Sequence, residues 1–352
     1  MTRRQRLLSA LLVMAGIGIV LYAMKPGPAV RNDHVLAAAH TDKPVTDVDG
    51  NLSPKERKTE DRPLPPVDMP LSAVIDDLKH RADRGEANAA CRLAAEWTYC
   101  QGLQKQLQGN EFMLRDQENR AVRITPGEDL KRMGVSAESL ERGINYAQAQ
   151  VDRTKSLLVH CDGVPAPRPD EIPRYWRRAA LAGHLPSMRN YAVGNAFRRD
   201  EFLDNLPALS VYRQEAVRIA KEAVGRGDLR SAIALAGAYS PLNTRGRTYL
   251  SQIVEPNARE ALALLYRING VIGTSGHFRV NENVRSELAK GIEDLERVMS
   301  PQDIREAGER AEKSPPLVGG FRDLQGLSMV IGGFVTDVPR EECDVAAWNK
   351  EP

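Results

Sequence analysis

Four cysteines and six histidines offer the widest range of chemistry in this 352-residue chain. Cys91, Cys100, Cys161 and Cys343 lack the C-x-x-C spacing of a redox dithiol. A zinc site built on His160, Cys161 and the other thiols has no C-x-x-C or H-x-x-x-H pair to support it. Disulfides remain. Cys91 and Cys100 stand on what reads as one helix, about 13 Å apart, too far to bridge. Cys100 falls where that helix is expected to end, and Cys161 follows a helix that closes an insertion at 101–160. A Cys100–Cys161 bond would staple the two ends of the insertion and stabilise the fold by about 3–4 kcal/mol. Cys91 is then either a buried small apolar residue or the partner of Cys343. Among the histidines, His34 and His40 lie in a proline-rich stretch. His184 directly follows Gly183, where His or Asp suits the start of a helix. No nucleophile elbow, phosphate loop or H-E-x-x-H is present. The sequence thus assigns no catalytic residue, no metal ligand and no cofactor. Arg174, Arg177, Arg178, Arg189, Arg198 and Arg199 are read as a solvated helix surface, with a basic binding face as the alternative.

The elements that must carry these residues are helices. Aromatic residues are only 5% of the chain while Ala and Leu abound, which disfavours a sandwich or barrel. Leu71, Val74, Ile75 and Leu78 share one helical face. Ser136 is placed to cap a helix with Glu138 in its first turn, and Leu140, Ile144, Ala147, Val151 and Leu158 form its apolar stripe to about His160. Further helices are expected near 171–182, 186–198, 211–225, 229–239, 257–270, 281–299 and 301–312.

Three segments share a frame: 80–94, 178–192 and 222–236. With Gly85, Gly183 and Gly227 as hinges, Ala82, Ala180 and Val224 stand three residues before. Small residues follow at four (Ala89, Ser187, Ser231), large ones at eight (Leu93, Tyr191, Leu235) and alanines at nine (Ala94, Ala192, Ala236). Glycine ends a helix in a left-handed conformation, the next helix begins at once, small residues permit close approach, and the large residue fills the groove. Each such hairpin is too small to bury its own face, so hairpins stack.

Trp176-Arg-Arg-Ala179-Ala180-Leu-Ala-Gly183-His184, followed by Ser187 and Tyr191-Ala192, resembles the Sel-one-like repeats, short relatives of tetratricopeptide repeats. Residues 220–239 and 78–94 resemble the same unit, and 257–270 a further first helix. The resemblance implies an all-α, irregular α-solenoid of helical hairpins that binds a protein or peptide partner. The hinges lie 98 and then 44 residues apart, so the stacking is expected to be irregular. A generic Ala-rich helical bundle is the alternative. Glu138-Ser139 superficially resembles the Glu-Ser pair of lytic transglycosylases, but Gly326-Leu327-Ser328-Met329 is not equivalent to that family's later segment. Glu138 is better explained as a first-turn carboxylate facing the helix dipole.

Residues 1–6 are basic, and the uncharged run 7–24 would span about 27 Å as a helix. It is expected to be an inner-membrane anchor, or a cleaved signal, with the remainder in the periplasm. Residues 25–70, rich in Pro and charge, read as a disordered tether. Residues 71–313 form the helical repeat domain. In 314–352, paired glycines argue against helix and suggest an irregular cap on the last helices. The net charge of +2 excludes a nucleic-acid binder driven by bulk charge. The function expected is binding, with an envelope enzyme and a structural spacer as the competing expectations.

Overall fold

The structure is a computed structural model, and it describes residues 63–123, 136–243, 248–274, 282–318 and 335–344. The expected anchor (7–24) lies outside them; among the described residues no helix is long and apolar enough to cross a membrane.

The described residues are all-helical apart from turns and a single isolated bridge between Asp228 and Val318. The helices are α1 (Leu71–Asp83), α2 (Ala87–Arg123), α3 (Ala137–Leu158), α4 (Glu171–Leu181), α5 (Leu185–Val193), α6 (Leu206–Gly225), α7 (Leu229–Tyr239), α8 (Ala258–Thr274), α9 (Glu282–Val298) and α10 (Pro301–Lys313). Consecutive helices α1/α2, α4/α5 and α6/α7 pack as hairpins. Each hairpin also leans on the next: α4 packs on both α2 and α6, and α5 on both α6 and α7. α8 continues from α7 and carries α9 and α10.

The three hinges share one hydrogen-bond pattern. Gly85, Gly183 and Gly227 have φ of +96°, +83° and +91°. In each, the glycine N–H reaches the carbonyl three residues back (Ala82, Ala180, Val224), and the following N–H reaches the one five back (Arg81, Ala179, Ala223). This is the Schellman arrangement that satisfies the orphan carbonyls at a helix end. The next residue then caps the following helix: His184 accepts from the Ser187 N–H and Asp228 from the Ser231 N–H. The small positions Ala89, Ser187 and Ser231 are buried, as are the large Leu93, Tyr191 and Leu235 and the alanines Ala94, Ala192 and Ala236. Ala82, Ala180 and Trp176 lie in the same core.

Four boundaries differ from the sequence expectation. α2 does not end at Cys100 but runs on to Arg123, so Cys100 sits mid-helix. Gly102 and Gly109 each cost only about 1 kcal/mol within a helix, and α3 packs against this extension. Asn110 donates to Thr154 Oγ1 (3.0 Å) and the Gln150 carbonyl (3.3 Å) across that pair. The helix expected over 186–198 stops at Val193, because Gly194 (φ +90°) repeats the hinge hydrogen bonds. The helix expected from 211 begins at Leu206, where Pro207 suits the first turn. Residues 63–70, assigned by composition to the tether, have structure. Leu64 packs on the core, and the carbonyls of Pro63, Pro65 and Val67 accept from Arg81, Arg92 and Arg340. Buried guanidinium groups need acceptors, and an extended proline-rich backbone supplies them.

Cys100 and Cys161 are bonded, with Cα atoms 5.8 Å apart, and tie α2 to the turn after α3. Cys91 and Cys343 are also bonded, with Cα atoms 5.5 Å apart, and bring the C-terminal segment onto the first hairpin.

Candidate functional site

The second helices of the hairpins present a polar face. From α2 come Arg92 and Glu96, from α5 Arg189 and Asn190, and from α7 Arg230, with Asp228 at its cap. All six are buried or nearly so: Arg189 is 1% exposed, Glu96 1%, Asp228 3% and Arg92 4%. Charged side chains are rarely this buried unless they are paired.

Their partner is residues 335–344, laid across this face in irregular and 3-10 conformation. Side chains of the face grip its backbone. Asn195 Nδ2 donates to the Val335 carbonyl (2.9 Å), and Asn190 Oδ1 accepts from the Val338 N–H (3.3 Å). Val338 is 3% exposed and Cys343 fully buried. Two of the segment's charges enter opposite pockets. Arg340 Nη1 lies 2.9 Å from Glu96 Oε2 and 2.8 Å from His160 Nε2, with its guanidinium 3.9 Å from the centre of the Tyr99 ring. Glu342 pairs with Arg189, and more loosely, at 3.5 Å, with Arg230. Arg189 also reaches Asp228 at 3.3 Å. A third pair, Arg198–Asp337 at 3.2 Å, lies nearer the surface.

The electrostatics follow from burial. Desolvation, helped by Arg189, lowers Arg230 to about 10, while Glu342 and Asp228 act in the opposite direction. His184, which caps α5 beneath Cys343, is held down at about 4, first by burial and then by Arg189; the Cys343 carbonyl opposes this. His160 Nε2 lies 2.9 Å from Glu96 as well as beside Arg340. Protonated, this nitrogen donates to Glu96; unprotonated, it accepts from Arg340.

Beyond Val335 the face opens into a cleft of about 520 Å³. Phe197, Phe202 and Tyr249 make its apolar wall, and Asn195, Arg198, Arg199 and Asp337 stand at its rim. Gly194 permits the wall to close, since a Cβ there would lie 2.5 Å from Tyr249 Cβ.

The arginines grouped in sequence do not form one basic face. Arg174 pairs with Glu171, Arg177 with Glu215, Arg178 with Asp83, and Arg189 and Arg198 with groups at the C-terminal segment. Tyr191, placed by the frame as a groove filler, also donates its hydroxyl to Glu215 (2.8 Å). Burial would raise the Glu215 carboxyl, but the hydrogen bonds from Arg177 and Tyr191 outweigh it and hold it low. Glu138 is exposed on α3 beside Arg142, away from this face. His34, His40, His277 and 326–329 lie outside the described residues. Among the described residues no group of acidic, histidine or cysteine side chains is placed to hold a metal ion.

Sequence reasoning located the hinges and the packing positions but not the face itself. Arg92, Glu96, Asn190, Asn195, Arg340 and Glu342 escaped it. The one local signal was a charged pair four residues apart inside the apolar run around Leu93–Ala95. Of the tail 314–352, expected to cap the last helices, the Pro315 carbonyl accepts from Arg267 on α8, whereas residues 335–344 lie on the first two hairpins and reach Arg230 on α7, held by the Cys91–Cys343 bond and two charge clusters.

Comparison of the chain with protein-family models, curated proteins and solved structures gives no match.

Proposed function

We propose that this chain is a membrane-tethered, extracytoplasmic interaction scaffold, an irregular α-solenoid of helical hairpins whose second helices bind a protein segment without regular structure. Its work is recognition rather than covalent chemistry. The observation that carries this is the treatment of residues 335–344: main-chain atoms of an irregular segment are held by Asn190 and Asn195 side chains, and its charges are paired in buried pockets. The shared hinge geometry supports the likeness to Sel-one-like repeats. Two disulfides favour an oxidising compartment, in keeping with an anchor or signal at 7–24.

Site-specific photocrosslinking in intact cells tests this. A photoreactive residue replacing Arg199, at the cleft end of the face, should give a discrete partner adduct; one replacing Arg142, on α3, should not. Adducts that are the same from both positions would remove the case for this face as the binding surface.

A further inference from the structure

The C-terminal segment shows what chemistry the face accepts. Its occupied positions form an ordered pattern: an apolar residue in a closed pocket (Val338), a cation two residues on over Glu96 and Tyr99 (Arg340), and an anion two residues beyond that against Arg189 and Arg230 (Glu342). The acidic position is the stricter one. Glu342 sits against Arg189, which is 1% exposed; without it that buried guanidinium would keep Asp228 at 3.3 Å and lose its second carboxylate. At the basic position Glu96 already has Arg92 on Oε1, at 2.7 Å, so the cation there is drawn by the other oxygen, Oε2, and by the face of Tyr99. Cys343 sits next to Glu342 and is bonded to Cys91, so the bond closes directly over the acidic pocket.

We propose that residues 335–344 are a resident stand-in for an external ligand, a peptide segment with the order apolar-x-basic-x-acidic, and that the Cys91–Cys343 bond keeps the site closed until an external dithiol reduces it by exchange, Cys91 and Cys343 leaving as thiols while the dithiol is oxidised to its disulfide. The cleft beside Val335 would receive the residues that precede the apolar one. This rests on the binding-scaffold function proposed above and adds the chemistry of the partner and the gate. Because the stand-in is part of the same chain, a free peptide competes against a local concentration in the millimolar range even once the bond is gone. Capture by a covalent bond is therefore the suitable readout.

The full chain carrying Cys343→Ser leaves Cys91 as a free thiol. A synthetic peptide of residues 335–344, supplied as its mixed disulfide with glutathione, exchanges there: the Cys91 thiolate attacks, the peptide–Cys91 disulfide forms and glutathione thiol departs. Mass spectrometry reads the equilibrium fraction labelled at Cys91. The comparison peptide has the two charges exchanged, Arg340→Glu and Glu342→Arg, with the same cysteine. The native order should label Cys91 at least about tenfold more than the exchanged order, since the exchange places like charges against buried groups. The oxidised wild-type chain should be labelled by neither. Equal labelling by both peptides would overturn the charge order while leaving a peptide site in place. Labelling by neither, in a chain whose helicity is intact and whose Cys91 reacts with a small maleimide, would overturn the binding-face function itself. A folded variant whose Cys91 resists even the maleimide would show that the segment stays seated without its bond, and would overturn the gate. Should Cys343→Ser lose helicity, the same pair of peptides is compared on the wild-type chain in a glutathione redox buffer, where native bond and peptide compete for Cys91.

Discussion

Alanine at the hinge glycines separates two costs that the sequence frame treats as one. Gly85, Gly183 and Gly227 all have φ between +83° and +96°, so each substitution incurs the left-handed penalty of a Cβ, about 1 kcal/mol. The space around them differs. At Gly85 an added Cβ meets nothing within 4 Å, so Gly85→Ala should cost about 1 kcal/mol and no more. At Gly183 it would come to 3.0 Å from the tip of Arg226, an exposed side chain that can swing away. Moving it gives up its hydrogen bond to the Gly183 carbonyl, for a total of about 1.5–2 kcal/mol. At Gly227 the Cβ would lie 2.7 Å from Val318 Cγ2 and 3.2 Å from the Pro316 carbonyl and Val318 nitrogen. Those atoms belong to the strand-like bridge that seats Leu317, and overpacking adds about 1–3 kcal/mol. Gly227→Ala should therefore cost about 3 kcal/mol in all. Urea unfolding of the oxidised chains, followed by helical circular dichroism, gives the three values from midpoints at a common slope. If Gly85→Ala proves as damaging as Gly227→Ala, or Gly227→Ala proves neutral, the hinge geometry described for these turns is wrong.

Three other outcomes follow from the same structure. The neutral His184 of the folded chain, held at about 4, binds a proton less readily than in the unfolded chain, with its ordinary 6.5; stability should fall by about 3 kcal/mol as pH drops from 6.5 to 4. His184→Asn keeps a capping side chain without a titrating ring, so the pH slope of wild type minus variant across that window should show the loss; identical slopes would reject it. Replacing both Cys100 and Cys161 by serine should lower stability by about 4 kcal/mol, measured as the urea midpoint, because the loop they close spans 61 residues. Glu96→Ala leaves Arg92 and Arg340 facing each other without their carboxylate and should cost about 3–5 kcal/mol, whereas adding Arg340→Met to it should recover part of that loss. Losses that simply add in this cycle would deny the coupling between α2 and the C-terminal segment.

What the sequence revealed was local. A glycine, a capping residue one position on and small residues at fixed steps all act within about three turns of helix, so Gly183-His184 and Gly227-Asp228 announce their geometry in a single string. Gly194 obeys the same rule inside the span expected as one helix, 186–198, and Ala196 and Phe197 beyond it are buried like the helix positions before it. The extension of α2 past Cys100 has no strong local signal: Gly102 and Gly109 weaken it as a helix, and the long-range contact with α3 offsets their cost. The buried face was illegible because its partners are far apart in the chain. Glu96 meets His160 across 64 positions and Arg340 across 244. The Cys100–Cys161 bond expected at the ends of the insertion is present; that expectation left Cys91 either unbonded or paired with Cys343, and only the fold, across 252 positions, selects the pair.

The kind of interaction that seats the C-terminal segment bears on what the segment is for. Val338 and Cys343 contribute apolar burial, but the centre of the contact is made of charge pairs, and a buried ion pair offers little net stability over an apolar replacement of the same volume. Had closure of the core been the only demand, apolar residues at 340 and 342 facing leucines on α2 and α5 would have met it more simply. Charge pairs instead fix register, since a segment shifted by one residue would place Arg340 and Glu342 against groups they cannot satisfy. Holding power is then left to the Cys91–Cys343 bond, which converts a specific but modest contact into a permanent one. Specificity vested in side chains and persistence vested in one breakable bond are separable properties, and a segment bound by that division can be exchanged for another of the same charge order without rebuilding the helices beneath it.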